Sequence, residues 1–286
     1  MSIIVQNTDI RIRPSAVDGF FNCGYQWGKT FLEGISSIPN NRAAIGTSIH
    51  KAAEVYWLDA ISTGQRDENL TKLQDAAVQE YAELAKQDLR FDEGENLTTS
   101  INTIKMGTNA FLNDIAPFAE IPVATEKYFE VPIVQHKLVT AVGGTIDYIS
   151  KDTISDLKTS KRKPTIASYV TQQSIYRFLA ESNGVPVKHN NIQSVVLKQK
   201  PDGAIYDLDP NVEQARFLIN HILDILDIVA EDKVAPELIL RGNPKYYLCS
   251  PKYCAHYDTC PFVANNVKAT QNDVKMADNM IAQVKL

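Results

Sequence analysis

Between Gly143 and Lys161 the chain brings together two aspartates and a lysine whose spacing suits hydrolytic chemistry. Residues 145–150 and 153–158 read as two short strands, with Ser-Lys-Asp turn chemistry between them. Residues two apart on a strand share a face, so Asp156 and Lys158 project together. Asp147, one strand earlier, reaches the same point if the hairpin pairs in a suitable register. Two carboxylates suit a hard divalent cation such as magnesium or manganese. An amine beside such a cation orients a water and stabilises charge developing on a phosphate. Asp-x-Lys by itself is common on solvated sheet faces, so its weight depends on what the rest of the chain adds.

The elements that must position this hairpin follow from periodicity. Residues 3–13 alternate as a short strand or extended arm would. Pro14-Ser15 starts a helix, capped by Ser15 with Asp18 three residues on, and that helix carries Phe20, Phe21, Cys23, Tyr25 and Trp27. A second helix over 42–62 holds Gly46, His50 and Glu54, the last two sharing a face. Gly46, one turn before His50, admits a close neighbour. Helical spacing continues over 67–90 and 98–115, separated by the acidic loop Phe91-Asp-Glu-Gly-Glu-Asn, which we place away from any DNA. Residues 121–135 alternate and are rich in β-formers; Glu126 and Glu130 are expected on one side of that strand. A strand from Leu138 feeds the hairpin, giving an antiparallel meander.

Lys161, Arg162 and Lys163 follow the hairpin directly and precede a helix over 166–182. This basic cluster is a candidate DNA contact, because helix N-termini also favour phosphate. Gln172 and Tyr176 share a face of that helix. A strand over 192–200, a return strand over 204–208 and a long amphipathic helix over 210–230 follow. The last 25 residues are polar and expected to be helical.

Bulk properties set the class. With 286 residues, 44% hydrophobic and 22% charged, the chain has the composition of a soluble globular protein with a sizeable core. The net charge of −5 argues against a DNA coat protein but not against an enzyme with a local basic channel. There is no apolar run of membrane-spanning length and no basic, apolar leader, so a cytoplasmic protein without a membrane partner is expected. Four cysteines, Cys23, Cys249, Cys254 and Cys260, are better read as metal ligands than as disulfides in such a protein.

Taken in order, His50 in Gly-x-x-x-His, Asp147 in Gly-Gly-x-x-Asp, Asp156-x-Lys158 and Gln172-x-x-x-Tyr176 resemble the motif series of the RecB-like branch of the PD-(D/E)XK nuclease superfamily. They fall on helix, strand, strand and helix, as in that branch. The resemblance implies an α/β, restriction-endonuclease-like core: a mixed central sheet flanked by helices. It implies that His50, Asp147 and Asp156 hold the metal together with the main-chain carbonyl of Leu157. Lys158 would position or activate the attacking water, and Gln172 and Tyr176 would border the site. Glu126 matches a glutamate often found on the preceding strand.

The cysteines extend the resemblance to AddB-type nuclease domains and CRISPR-associated RecB-like exonucleases. Those carry a [4Fe–4S] cluster on one cysteine before the nuclease core and three after it. The implied ligands here are Cys23, Cys249, Cys254 and Cys260, with the gap from Cys249 to Cys254 longer than the usual two residues. Four thiolates suit iron–sulfur or zinc, and zinc is the alternative. Such a cluster would staple the N-terminal helix to the C-terminal loop.

The expectation is one nuclease domain over 1–286. Its parts are a mainly helical 1–120, a sheet core over 121–209 and a C-terminal helix with the cysteine region over 210–286. Its activity would be a Mg2+- or Mn2+-dependent DNA exonuclease of recombination, repair or phage DNA processing, in a bacterial, archaeal or phage-infected cell. DNA is the expected partner, with a recombinase, helicase or integrase beside it. The rival is a catalytically inactive DNA-binding or assembly module on the same fold. Strand polarity, strandedness and oligomeric state do not follow from the sequence.

Overall fold

The computed structural model describes residues 3–35 and 39–263. The C-terminal stretch expected to be helical lies almost wholly outside these described residues.

A mixed sheet runs through the middle of the chain. Its strands are β1 (Ile10–Ile12), β2 (Ala124–Pro132), β3 (Val139–Ile149), β4 (Thr153–Ser160), β5 (His189–Val196) and β6 (Asp202–Leu208). The order is β1-β3-β4-β5-β6, with β2 also paired to β3. The expected meander is present: β2 pairs antiparallel with β3, and β3 with β4. A parallel step then joins β4 to β5, and β6 returns antiparallel. That parallel step needs a crossover, which α6 (Val170–Ser182) supplies.

Helices cover both faces. On one side α3 (Asn41–Thr63), α4 (Leu70–Leu84) and α5 (Leu97–Asp114) enclose a core with Tyr148, Leu157 and Val195 from the sheet. Helix α3 begins where the Asn40 side chain accepts the Ala43 N–H, and it buries Ile45, Ile49, Ala52, Tyr56 and Ala60 at helical spacing. Trp57 packs edge-on against Tyr148 at 5.4 Å. Burying each such side chain contributes on the order of 2 kcal/mol, which fixes α3 on the sheet and His50 with it. On the other side, α1 (Pro14–Asn22), α2 (Gly24–Phe31), α6 and α7 (Val212–Ala230) pack over Ile146, Ile149 and Ile154. Among the described residues no helix is long and apolar enough to cross a membrane.

Four local expectations are corrected. The first helix is two: Cys23 has φ −157° and ψ 88°, which breaks the run between α1 and α2. The break lets Gly24 approach the Leu240 backbone, where a Cβ would lie 3.0 Å from its Cα. Helix α1 is entered from Arg13 with Pro14 in its first turn; Ser15 does not cap it, because a proline with preset φ already starts the turn. Glu130 turns to Arg11, at 3.3 Å, and to the Tyr128 hydroxyl, so it does not accompany Glu126. The acidic loop is not remote. Glu95 accepts from Arg42 and Asn41 at 3.0 Å and lies 3.2 Å from Lys161.

Candidate metal and catalytic site

The site sits where β3 loses a partner. Along one edge β3 is paired by β2 from Ala141 to Ile149. Its other edge is shared by β1, at Val139–Val142, and β4, which pairs only at Tyr148 and Ile149. Beyond Ser155, β4 splays away. Into that opening Asp147 puts its carboxylate, whose Oδ2 accepts the Leu157 N–H at 2.8 Å. A side chain thus replaces the ladder bond that continued pairing would have made, and the carboxylate is held between the two strands.

Helix α3 supplies the imidazole. His50 Nδ1 lies 3.3 Å from Asp147 Oδ2, and the ring also hydrogen-bonds the Leu157 backbone. Gly46 permits this approach: a Cβ there would lie 2.7 Å from Thr159 Oγ1 on β4. The third donor is Glu126. It has φ 48°, a left-handed conformation that is strained for a residue with a side chain, placed opposite Asp147. The neighbouring Thr125 hydroxyl donates to the Asp147 main-chain carbonyl at 2.6 Å, which holds the distortion in place. One donor atom each from His50, Glu126 and Asp147 all lie within 4.8 Å of one another.

Asp156 and Lys158 do share a face. Lys158 Nζ is 2.6 Å from Asp156 Oδ2, while Gln172 on α6 donates to Asp156 Oδ1 at 3.4 Å and to the Tyr176 hydroxyl at 3.2 Å. Asp156 therefore lies alongside the three converging donors, engaged by the amine and the amide. Lys158 also stands 5.6 Å from the Tyr169 ring centroid. Sequence reasoning assigned Tyr169 no role, although it lies three residues before Gln172 and so one turn from it. Of the basic cluster, Lys161 is taken by Glu95 and Lys163 lies over the Tyr206 ring at 5.4 Å. Arg162 is exposed.

The electrostatics are those of carboxylates crowded together and removed from water. Burial pushes the Asp147 carboxyl up to about 6, against the pull of the Leu157 N–H and Lys158. Asp156 is raised to about 6 by burial and by Asp147, opposed by Lys158. Desolvation and repulsion from Asp147, Glu54 and Asp156 raise Glu126 to about 7. Burial holds His50 below its usual value, in the neutral form that ligates metals. One nitrogen and several carboxylate oxygens around a cation-poor centre fit a divalent ion. A groove of about 660 Å³, lined by His50, Glu126, Leu157 and Lys158, opens this centre to solvent.

The family model of the PD-(D/E)XK nuclease superfamily matches residues 11–261. The chain belongs to that superfamily. No curated protein matches the chain. Among solved structures, it is similar to a "Putative exonuclease" from Eubacterium rectale, with a TM-score of 0.56 and 13% identity over 80% of this chain and 85% of that one. A second, SSO0001, aligns with a TM-score of 0.35 and 16% identity over 78% of this chain and 96% of that one. At such identity the first likeness concerns the fold, and it agrees with the restriction-endonuclease-like architecture of the PD-(D/E)XK superfamily.

A second cluster lies on the α1/α2 side. Cys23, at the helix break, lines one small enclosed cavity together with Cys249, Cys254 and Cys260. Burial raises the thiols of Cys249, Cys254 and Cys260, and the other cysteines raise them further. Four cysteine side chains lining one cavity fit a group that takes thiolates.

Proposed function

We propose that this PD-(D/E)XK protein is a divalent-metal-dependent deoxyribonuclease of the RecB-like branch, acting as an exonuclease on DNA ends in recombination, repair or phage DNA processing. The observation that carries the reading is the convergence of His50, Glu126 and Asp147 within 4.8 Å, next to the 2.6 Å pair of Lys158 and Asp156. A binding domain without catalysis has no need to crowd carboxylates whose burial, joined by repulsion at Glu126 and Asp156, raises them to about 6 and 7.

His50, Glu126, Asp147 and the Leu157 carbonyl would hold the cation, with Asp156 completing the set. A divalent ion there supplies Lewis acidity toward a phosphodiester and lowers the pKa of water. Lys158, anchored by Asp156, orients the attacking water and offsets charge growing on the phosphoryl oxygens. Gln172 fixes the Asp156 carboxylate and the Tyr176 hydroxyl in one network. Burial raises the Tyr176 phenol, so it remains a hydrogen-bond donor at neutral pH. The four cysteines would hold a [4Fe–4S] cluster, with zinc as the alternative. A recombinase, helicase or integrase would deliver the DNA end.

The test compares hydrolysis of end-labelled linear DNA and closed circular DNA, in Mg2+ and in Mn2+, for the wild type, Lys158→Ala and Asp156→Ala. The proposal predicts loss of label from linear DNA by the wild type only, with the circle spared. Equal activity in all three proteins would refute it.

A further inference from the structure

One aromatic ring beside Lys158 has no part in the metal site and belongs to neither core of the molecule. Tyr169 closes the 3-10 turn Ile166–Tyr169 and stands at the start of α6. It precedes Gln172 by one helical turn and Tyr176 by two, so the three side chains form one stripe on a helix face. That stripe runs along the Asp156–Lys158 pair. Tyr176 packs on β3, where a Cβ added to Gly144 would lie 3.3 Å from its Cε1, and its hydroxyl accepts the Gln172 amide at 3.2 Å. Gln172 reaches Asp156 Oδ1 at 3.4 Å. Tyr169 reaches the lysine, whose Nζ lies over its ring at 5.6 Å from the centroid.

The lysine needs a second point of attachment. Its amine ends a flexible stem, and the side chain is 24% exposed. Asp156 holds the amine at 2.6 Å, yet Oδ2 of that carboxylate accepts no well-directed hydrogen bond among the described residues. The ion pair therefore sets the distance of the amine and leaves its direction open. An aromatic face attracts an ammonium through the ring quadrupole and so adds the missing restraint. The remaining N–H bonds of the amine then serve the groove over the metal centre, which Lys158 lines and Tyr169 does not. The ring is itself held by its backbone. Ser168 Oγ donates to the Thr165 carbonyl at 2.7 Å, the Val170 N–H donates to the Ala167 carbonyl, and Thr171 donates to Asp18 on α1. Helices α3, α4, α5 and α7 each begin at an asparagine that caps them, whereas the side chain at the start of α6 caps nothing.

We infer that Tyr169 is a positioning residue for Lys158: its ring face fixes the direction of the amine, so that the amine meets the attacking water and the phosphoryl oxygens. The inference rests on the nuclease reading above and adds a residue to which that reading gives no role. The ring acts through the lysine. Its removal should slow the chemical step while leaving metal binding and DNA binding in place. The contact is with the ring face, so the hydroxyl is dispensable.

The test is single-turnover cleavage of end-labelled linear DNA in saturating Mn2+, which reads chemistry as a maximal rate and binding as a half-saturation concentration. Calorimetric titration of Mn2+ accompanies it for each full-length protein. Tyr169→Leu and Tyr169→Met keep apolar bulk and remove the ring; Tyr169→Phe keeps the ring and removes the hydroxyl. The first two should lower the maximal rate about tenfold, with half-saturation and Mn2+ affinity within about twofold of the wild type. Tyr169→Phe should recover the rate to within about twofold. An undiminished rate in Tyr169→Leu and Tyr169→Met overturns the inference. So does a loss in Tyr169→Phe equal to theirs, which assigns the role to the hydroxyl. A raised half-saturation at constant rate overturns it in favour of DNA binding. Weakened Mn2+ affinity, or failure of both Tyr169→Leu and Tyr169→Met to fold, overturns it in favour of a scaffold role. In each of these cases a wild type that cuts DNA leaves the nuclease reading standing. A wild type that cuts no DNA brings down that reading and this inference together.

Discussion

Replacing Asp147 by asparagine should stabilise the metal-free protein and abolish its stabilisation by metal. The side chain has two jobs in the structure: Oδ2 accepts the Leu157 N–H, and the charge contributes to the cation site. An asparagine oxygen can still accept that N–H, so the splayed hairpin keeps its wedge. What disappears is a carboxylate whose folded value, about 6, lies above its ordinary 3.8. A raised carboxyl has no effect on stability below 3.8, where both states are protonated. Between 3.8 and about 6 the folded state binds the extra proton and stability falls with rising pH; above about 6 the full penalty applies. The difference corresponds to roughly 3 kcal/mol at neutral pH, an upper bound because Glu126 and Asp156 would readjust.

At ~2–4 °C per kcal/mol for a chain of this order, a rise in Tm of several degrees is expected in EDTA. Mn2+ at a thousand times its Kd should reverse the ranking, because it stabilises the wild type by about 4.1 kcal/mol and the variant very little. Thermal denaturation followed by circular dichroism, in EDTA and in Mn2+, reads both halves. A variant less stable than wild type in EDTA, or one that keeps the full Mn2+ shift, would refute the reasoning.

Three further outcomes follow from the same geometry. Glu126→Gln should weaken Mn2+ binding by at least about tenfold in calorimetric titration while leaving the fold intact, since only the charge at a converging donor changes. Glu95 is desolvated, yet its bonds from Asn41, Arg42, Asp92 and Lys161 hold its carboxyl at about 2 against an ordinary 4.5. Its stabilisation is therefore present above pH 4.5 and lost as pH falls toward 2, and Glu95→Gln should be less stable at neutral pH by up to about 3 kcal/mol, discounted for solvent screening, with a flatter acid-unfolding profile across that window. Cys254→Ser, purified without oxygen beside the wild type, should lose the broad visible absorbance of an iron–sulfur protein; a colourless wild type containing zinc would contradict the cluster assignment.

The grouping of the candidate residues was legible because its members are fixed by short-range spacing. Asp156 and Lys158 share a strand face by period two, and Gln172 and Tyr176 share a helix face by i, i+4. The mixed α/β architecture was equally legible, since alternation marked the meander and helical spacing the crossover. What stayed hidden depends on distortion or on long-range pairing. Glu126 was visible as a strand glutamate, but its left-handed turn toward Asp147 leaves no mark in the alternation of residues 124–132. The helix break at Cys23 had one available signal, Gly24, whose meaning lies in a contact with Leu240 far along the chain. The acidic loop was misplaced because Glu95 finds Asn41, Arg42 and Lys161, partners distant in sequence.

The central claim is that a helix imidazole and two strand carboxylates jointly hold one divalent ion. Anomalous diffraction at the manganese edge, from crystals grown with Mn2+, tests it most directly. The account predicts a single strong peak within roughly 2.0–2.6 Å of donor atoms from His50, Glu126 and Asp147. A peak elsewhere on the protein, with that triad left bare in the same crystal, would contradict it.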